Sequence, residues 1–303
     1  MQINQNLLSQ FEKQLNPLYL ERSSIPAEVL GYGEISSIFR LKQPEAVAFK
    51  RLPIFNSTSD AETYLANYKE YCSLLGQAGI TLPEDSGVIV QAPRRPAALY
   101  IAQKLLEPDH FAHKLIHSLP QNELETLLEN VITEIQKIWR FNKEHTPDIE
   151  LSIDGQLSNW ALVDGNLLYV DTGTPMYRKA GQEQLDPEPL LKSAPAFLRW
   201  ILRLFFLDDV MNRYYDERLV YIDLAANLYK EQRPDLIPLT VRIINRHISD
   251  GLAPVSEKEV EKYYKEDKLI WTLFLSFRRI DRWITTRLLR KRYEFILPGK
   301  IKR

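Results

Sequence analysis

Apolar and polar positions alternate with a period of two through much of the first third of the chain, which predicts strands. Residues 28–53 combine this alternation with β-branched and aromatic residues, and turn residues at Gly31, Gly33 and Gln43-Pro44 divide them. They predict three antiparallel strands. Residues 87–106 predict two more, joined at Pro93–Pro96, because that stretch is too rich in proline for a strand interior. We therefore expect five strands in this part of the chain.

Two helices accompany these strands. Residues 4–16 predict a short first helix. A second helix is expected to begin at Ser59 as N-cap, with Glu62 three residues later completing a capping box. It should end near Gly76–Gly79, where glycine favours a C-terminal cap. The first part of the chain thus predicts strands with one long helix inserted among them.

From Asn122 onward the apolar residues follow a helical period instead. A small hairpin, NWALVDGNLLYVD, follows that helix, and its Asp164-Gly165 dipeptide is typical of a tight two-strand turn. After Asp171 the pattern is mostly helical. The helices predicted there cover residues 195–213, 214–231, 237–249, 256–265 and 267–293.

This order of elements predicts an α+β fold in two lobes. Residues 1–105 would form an N-terminal lobe of sheet and helix. Residues 106–303 would form a larger helical lobe that carries the hairpin. We expect the boundary near Leu105–Asp109.

Composition narrows the class of protein without identifying it. With 303 residues, 45% hydrophobic and 26% charged, the chain is globular rather than disordered, collagen-like or a disulfide scaffold. A lone cysteine, Cys72, and an N-terminus without a secretory pattern predict a cytoplasmic protein. The most apolar stretch, 195–210, contains Arg199 and Arg203 and falls short of the roughly 20 apolar residues of a membrane span. No stable membrane insertion is expected.

Charge is distributed unevenly along the chain. The net charge is −1, yet residues 277–303 hold ten Lys and Arg against Asp281 and Glu294, a local balance of +8 that leaves −9 for the rest. Basic residues interleaved with aromatic ones suit single-stranded nucleic acid or an anionic membrane surface. We favour a terminal helix instead, with its arginines paired to the acidic body and its apolar side packed on the helical lobe. The side chains expected to pack are Ile280, Trp283, Ile284 and Leu288.

Candidate chemistry lies in four short features in a fixed order. A glycine turn, Gly31 to Gly33, falls between the first two strands, and Lys50 ends a strand. Asp154 and Asn159 precede the hairpin, and Asp171 follows it. Each feature also has an ordinary explanation, as a turn former or a lysine in solvent. Their order favours a common site.

These residue types suit a phosphotransferase that uses Mg²⁺ and a nucleotide such as ATP. A glycine turn lets backbone approach phosphates, and a lysine on a neighbouring strand supplies positive charge to them. Mg²⁺ prefers oxygen ligands, which Asn159 and Asp171 would supply from the two ends of one hairpin. Asp154 would accept or orient the proton of the acceptor hydroxyl.

At these residues the chain resembles the protein-kinase-like superfamily, especially its aminoglycoside and choline phosphotransferase branch. The resemblance covers roughly residues 28–175. It implies that Gly31 and Gly33 cover the phosphates and that Lys50 holds the α- and β-phosphates, paired with Glu70 or, as second choice, Glu62. It also implies a catalytic Asp154, metal ligands at Asn159 and Asp171, and adenine recognition by the backbone of a hinge. The hinge residues are Gln103, Lys104 and Leu105.

The chain departs from the superfamily pattern at informative places. Ser152 replaces the histidine usual two residues before the catalytic aspartate, and Ser36 stands where a third glycine would fall. No Ala-Pro-Glu segment follows Asp171-Thr172-Gly173. A small-molecule acceptor is therefore favoured over a protein. The alternative is a pseudokinase that binds nucleotide, or acts as a scaffold, without phosphoryl transfer.

Overall fold

The structure is a computed structural model that describes residues 1, 3–20, 23–33, 36–44, 46–191, 195, 198–199 and 211–297. It is an α+β fold built on an antiparallel sheet of five strands in the order β1-β2-β3-β5-β4. All five strands predicted from the alternation of apolar residues are therefore present. Their bounds are β1 Ala27–Tyr32, β2 Ser37–Leu41, β3 Val47–Phe55, β4 Asp85–Gln91 and β5 Ala97–Lys104.

A helix covers each face of this sheet. Helix α1, Gln5–Gln14, places Leu8 and Phe11 in one buried cluster with Phe39 and Phe49. Helix α2, Thr58–Gln77, packs on the opposite face. Successive side chains of a strand point to opposite faces, so neighbouring residues of β3 enter different environments.

Helix α2 begins two residues before the expected position. Ser57 is the N-cap, and its side chain and that of Asp60 complete the capping box. The prediction of Ser59 with Glu62 was wrong because Ser57-Thr58-Ser59-Asp60 offers overlapping cap candidates, and Asp60 also accepts a backbone N–H as a capping residue. The helix ends at Gln77, as predicted.

The predicted hairpin consists of β7, Trp160–Val163, and β8, Asn166–Tyr169. Asp164 and Gly165 both have positive φ, 50° and 79°, as a tight hairpin turn with the twist of its strands requires. Beside it lies a sheet of three short strands in the order β10-β9-β6. These strands are β6 Ile149–Leu151, β9 Tyr177–Lys179 and β10 Gln182–Glu183.

The rest of the described chain is mainly helical and shares one large apolar core, which also includes Tyr71 and Leu75 of α2. Of the helix predicted at 195–213, residues 196–197 and 200–210 lie outside the described residues. No helix among the described residues is both long and apolar enough to cross a membrane. The helices are α3 Ala112–Ser118, α4 Gln121–His145, α5 Glu188–Leu191, α6 Glu217–Lys230, α7 Ile237–His247 and α8 Glu257–Trp283.

Helix α8 corrects two predictions about the end of the chain. It runs unbroken through residues 265–267, where two helices were expected, because no glycine or proline interrupts it there. A π-helical turn, Ile284–Leu288, continues it. Ile280, Trp283 and Leu288, which were expected to pack on the helical part, are exposed.

A buried ion pair joins the sheet to both ends of the described chain. Arg51 on β3 binds both carboxylate oxygens of Glu12 on α1, at 2.7 Å each, and both side chains are 1% exposed. The Tyr100 hydroxyl also donates to Glu12, and Arg51 donates to the Glu294 carbonyl at 2.8 Å. Burial raises the pKa of Glu12, but the charge and hydrogen bonds of Arg51 outweigh this and lower it below its usual value.

Candidate functional site

Lys50 and Asp171 form an ion pair although 121 residues separate them in sequence. Lys50 lies on β3 and its side chain is 12% exposed, whereas that of Asp171, just beyond the hairpin, is 34% exposed. Gly173 makes room for this contact, because a Cβ there would lie 2.6 Å from Cδ of Lys50. The predicted phosphate-binding lysine and the predicted metal ligand therefore meet at an accessible position.

The hairpin brings Asn159 beside Asp171. Trp160 pairs with Tyr169, and one residue further out the Val170 N–H donates to the Asn159 carbonyl at 2.9 Å. Asn159 and Asp171 thus flank the open end of the hairpin, as its sequence predicts.

This pair of side chains fits what Mg²⁺ requires. The Asn159 amide nitrogen donates to the Asp154 carbonyl at 3.2 Å, which leaves its Oδ1 as a free acceptor. Asp171 uses Oδ1 for Lys50 and keeps its second oxygen. Across the described part of the chain, no group of three or more His, Cys, Asp or Glu could hold a metal. Mg²⁺ normally takes one or two protein ligands, with phosphates and water completing its shell, so a small donor set suits it.

Asp154 is held by hydrogen bonds to both its backbone and its side chain. Its N–H donates to the Tyr169 hydroxyl at 3.3 Å, and its Oδ1 accepts the N–H of Gln156 at 3.1 Å. Burial, followed by the charges of two other aspartates, raises the pKa of Asp154 to about 8. The carboxyl group is thus positioned as a proton acceptor with unusually high basicity.

Asp223 is one of those two aspartates, and the sequence analysis missed it. It lies on α6, and the Gln156 amide donates to its Oδ2 at 2.9 Å. Burial raises its pKa, and Asp154 responds to its charge. A single aspartate inside the apolar run VYIDLAANL is the signal that could have revealed it.

Three tyrosines on the buried face of α2 secure the loops of the site. We call Tyr64, Tyr68 and Tyr71 the tyrosine row. Tyr64 donates to the Gly173 carbonyl and Tyr71 to the Ser152 carbonyl, both at 2.8 Å. Tyr68 accepts from Thr172 at 3.4 Å and donates to Asp85 at 2.6 Å. Their spacing of four and three residues places them on one helix face, a pattern visible in the sequence.

Glu70 does not pair with Lys50, and that prediction was wrong. Glu70 binds Lys179 at 2.6 Å and accepts from the Tyr177 hydroxyl at 2.9 Å, while Glu62 is exposed. Both glutamates lie outside the face of α2 that carries the tyrosine row. Helix α2 therefore reaches the site through phenol hydroxyls rather than through a carboxylate.

Ser152, the residue in place of the usual histidine, is fully buried. Its N–H donates to the Met176 carbonyl at 3.0 Å, and its hydroxyl donates to the Tyr214 carbonyl. With the bond from Tyr71, its backbone and its side chain are all fixed by hydrogen bonds. The chain segment that leads into Asp154 is thus held by hydrogen bonds without a histidine.

The β1–β2 hairpin closes at Gly33 as predicted, whereas Gly31, which was expected in the turn, lies within β1 opposite Ile38. The Gly33 N–H donates to the Ser36 carbonyl at 3.0 Å, and a Cβ on Gly33 would lie 2.6 Å from Oγ of Ser36. A Cβ on Gly31 would meet only Ile38, at an ordinary 3.7 Å. A side chain at residue 33 would thus require the Ser36 hydroxyl to move, whereas residue 31 has ordinary room for one.

The expected hinge is partly committed to the sheet. The N–H of Lys104 donates to the Glu84 carbonyl at 3.0 Å, and that of Leu105 to the Ala46 carbonyl at 2.9 Å. These two donors are therefore not free to bind adenine. Gln103 contributes by its side chain, which donates to Thr172 at 3.1 Å and ties β5 to the loop of Asp171.

A cavity of about 310 Å³ lies among described residues away from these side chains. Arg178, Glu183 and Asn212 are among its polar lining, and none of the predicted site residues borders it.

The chain is similar to one protein family and, distantly, to a solved structure. A family model described as a family of unknown function (DUF6206) matches residues 20–282. No curated protein matches the chain. Among solved structures, WaaP in complex with acyl carrier protein is similar at 12% identity and a TM-score of 0.34, over 80% of this chain and 90% of that chain. A TM-score at this level is too low to assign a shared fold or activity.

Proposed function

We propose that this chain, which belongs to the family of unknown function DUF6206, is an Mg-ATP-dependent phosphotransferase of two-lobed, protein-kinase-like architecture. Its acceptor would be a hydroxyl group of a small molecule. The observation that carries the proposal is the convergence of Lys50, Asp154, Asn159 and Asp171 from separate segments. Lys50 forms an ion pair with Asp171. The N–H of Val170, next to Asp171, donates to the Asn159 carbonyl, and the Asn159 side-chain amide donates to the Asp154 carbonyl.

The arrangement of elements supports the same proposal. The glycine turn, the strand of Lys50 and the strand that leads to the expected hinge belong to one antiparallel sheet. Helix α2 connects β3 to β4 and contacts both the sheet and the loop of Asp171. Phosphoryl transfer depends mainly on positioning and charge, so this kind of support for the lysine and aspartates is what the chemistry needs.

Each side chain would have one role. Asn159 and Asp171 would hold Mg²⁺, which when bound would neutralise charge on the phosphate oxygens. Lys50 would exchange its contact with Asp171 for phosphate oxygens. Asp154 would accept the proton of the acceptor hydroxyl, a role that its raised pKa favours. Gln156 and Asp223 would position the loop of Asp154.

A nucleotide-binding module without transfer is the second candidate. The observation that favours it is Ser152, which stands in place of the usual histidine and whose hydroxyl donates to the Tyr214 carbonyl. Both candidates require Lys50 and Asp171 for binding, but only the enzyme requires Asp154 for turnover.

Thermal unfolding with nucleotide separates these candidates. If Mg-ATP binds only the folded protein, ATP at 100 times its dissociation constant should stabilise it by about 2.7 kcal/mol. Lys50→Met should abolish this stabilisation, and Asp171→Ala should remove its Mg-dependent part. Asp154→Asn should keep it and lose transfer of phosphate from ATP to any hydroxyl acceptor or water.

Matched surface variants serve as controls. Lys42→Met and Asp250→Ala remove exposed side chains of the same types and should leave nucleotide stabilisation unchanged. The phosphotransferase proposal is overturned if neither ATP nor ADP stabilises the protein with or without Mg²⁺. Binding without turnover of ATP under any acceptor condition would favour the second candidate.

A further inference from the structure

Helix α8 has two apolar faces, of which the body of the protein covers one. Val260 is fully buried, Tyr264 packs against the main core, and Arg278 is 2% exposed, so these residues mark the inward face. Leu269 follows Val260 by nine residues, about two and a half helical turns, and therefore lies on the opposite side.

The outward face carries a row of large apolar side chains. Leu269, Leu273, Ile280 and Trp283 recur at helical spacing, and we call them the outward stripe. Leu288 and Leu289 extend it in and beyond the π-helical turn. The exposed fractions are 61%, 48%, 48% and 56% for the stripe, and 63% and 56% for the two leucines. A row of exposed apolar side chains of this length marks an interaction surface rather than scattered surface residues.

The end of this surface is cationic. Arg287, Arg290 and Lys291 are exposed, and among the described residues none of them forms an ion pair. Between residues 277 and 297 the acidic side chains are Asp281 and Glu294. Glu294 is already bound to Arg51 and Arg292. The positive charge beside the stripe is therefore not neutralised locally by Glu294.

This combination determines which partner fits best. A second copy of the chain placed stripe against stripe, with the two helices parallel, would bring its arginines near those of the first, and like charges oppose such contact. Single-stranded nucleic acid would pair with the arginines but would leave the aliphatic side chains of the stripe in water. An anionic bilayer satisfies both features, because its headgroups attract the cations while its acyl boundary takes up Leu, Ile and Trp.

We propose that the outward stripe, together with Arg287, Arg290 and Lys291 after it, docks on the surface of a bilayer rich in anionic phospholipid. Helix α8 lies along the interface, with its tryptophan and leucines at the headgroup boundary and its arginines at the phosphates. This surface is separate from Lys50 and Asp154, so the proposal does not depend on the phosphotransferase.

Co-sedimentation of the full chain with vesicles tests the proposal. One set of vesicles contains phosphatidylcholine alone, and the other contains phosphatidylcholine with one third phosphatidylglycerol. We expect at least about tenfold stronger partitioning to the anionic set. We also expect this preference to fall steeply with added salt.

Two variants test the two parts of the surface. Leu269→Asn with Leu273→Asn should reduce binding to anionic vesicles about tenfold through lost apolar contact. Arg287→Gln with Lys291→Gln should reduce it about tenfold and weaken its salt dependence. Two controls should bind like the unaltered chain: Lys258→Gln with Lys262→Gln, on the exposed start of the same helix, and Leu252→Ser, an exposed apolar residue elsewhere.

Circular dichroism and thermal unfolding should show that all variants fold, because every substituted side chain is exposed. Equal binding to both vesicle types, or binding unaffected by the stripe variant, overturns the proposal. So does a dimer without lipid that the stripe variant dissociates, since the occupant would then be a second copy. Salt-sensitive binding of a single-stranded oligonucleotide with no vesicle binding also overturns it.

Discussion

Lys50 and Arg51 are neighbours on β3, and each forms an ion pair, but the two pairs differ in nearly every other respect. Arg51 points toward α1 and lies in a closed set of contacts with Glu12 and Glu294. Lys50 points to the other face of the sheet and meets Asp171, whose side chain is one-third exposed. The alternation of a single strand thus separates a structural ion pair from an accessible one.

The difference lies in how fully each charge is satisfied. Glu12 accepts hydrogen bonds at both oxygens, including one from Tyr100, and its side chain is 1% exposed. Asp171 contacts Lys50 through one oxygen, beside an asparagine with a free acceptor. A saturated pair maintains the fold, whereas an accessible pair can exchange its partners for a ligand. Four expected outcomes test this comparison.

The largest effect is expected for Arg51→Met. The substitution leaves the buried Glu12 carboxylate without the arginine that binds both its oxygens, and with Arg95 4.0 Å away. Breaking a buried ion pair typically costs about 3–5 kcal/mol of unfolding free energy. Urea unfolding at pH 7 measures the loss. Glu12→Leu combined with Arg51→Met removes both charges and should recover part of the stability. Similar losses in the single and double variants would contradict the saturated-pair interpretation.

The second effect is a pH dependence of stability that originates at Asp154, in the candidate site. The raised pKa of Asp154 means that the folded chain keeps a proton that the unfolded chain loses above about pH 4. The stability that comes from this retained proton is fully present below about pH 4 and is lost as the pH rises through about 8. In EDTA, the unfolding free energy of Asp154→Asn minus that of the unaltered chain should therefore increase by at least about 1 kcal/mol from pH 5 to pH 8.

Thermal unfolding at the two pH values measures this difference. Asp250→Asn, at an exposed aspartate, provides the control and should show no such change. If Asp154→Asn differs from the unaltered chain by the same amount at both pH values, Asp154 is not held in the environment described.

A smaller effect is expected for Tyr64→Phe. The substitution removes the buried hydrogen bond to the Gly173 carbonyl and leaves that acceptor unpaired, at a cost of about 1 kcal/mol. Because Gly173 lies under Lys50, the apparent affinity for nucleotide should also decrease. Tyr19→Phe, on an exposed tyrosine outside the site, is the control. Lost stability with unchanged nucleotide affinity would separate the tyrosine row from the site.

The smallest effect on stability is expected for Lys50→Met. Accessible ion pairs contribute about 0–1 kcal/mol, so urea unfolding without ligand should change little. Nucleotide stabilisation should nevertheless disappear. A loss in urea as large as that of Arg51→Met would show that the two pairs are energetically equivalent and would break the comparison.

The sequence predicted those features that depend on local period and turn chemistry. The five strands, the long helices and the hairpin at Asp164-Gly165 each follow from a short pattern of residues. The convergence of Lys50 with Asp171 followed from motif order. The partner of Glu70 did not, because the face of α2 that meets the site depends on how the helix packs against distant residues.

Dependence on tertiary packing also explains why the packing of the last helix was predicted wrongly. Val260 and Leu269 are both apolar, and no local signal tells which of two apolar faces of α8 the body will cover. Asp223 was missed because a residue on a late helix joins the site only through tertiary packing. Helix and strand periods therefore defined the elements, while their mutual contacts determined the details of the site.

The bond between Arg51 and Glu294 has a consequence for how the chain is made. The two residues are 243 positions apart, so the sheet emerges from the ribosome long before Glu294 is synthesised. During that interval a buried arginine of β3 has Glu12 but lacks its late acceptors. Folding of the sheet should thus be completed only after translation reaches the last segment, and truncated chains should present an unfinished sheet to chaperones and proteases.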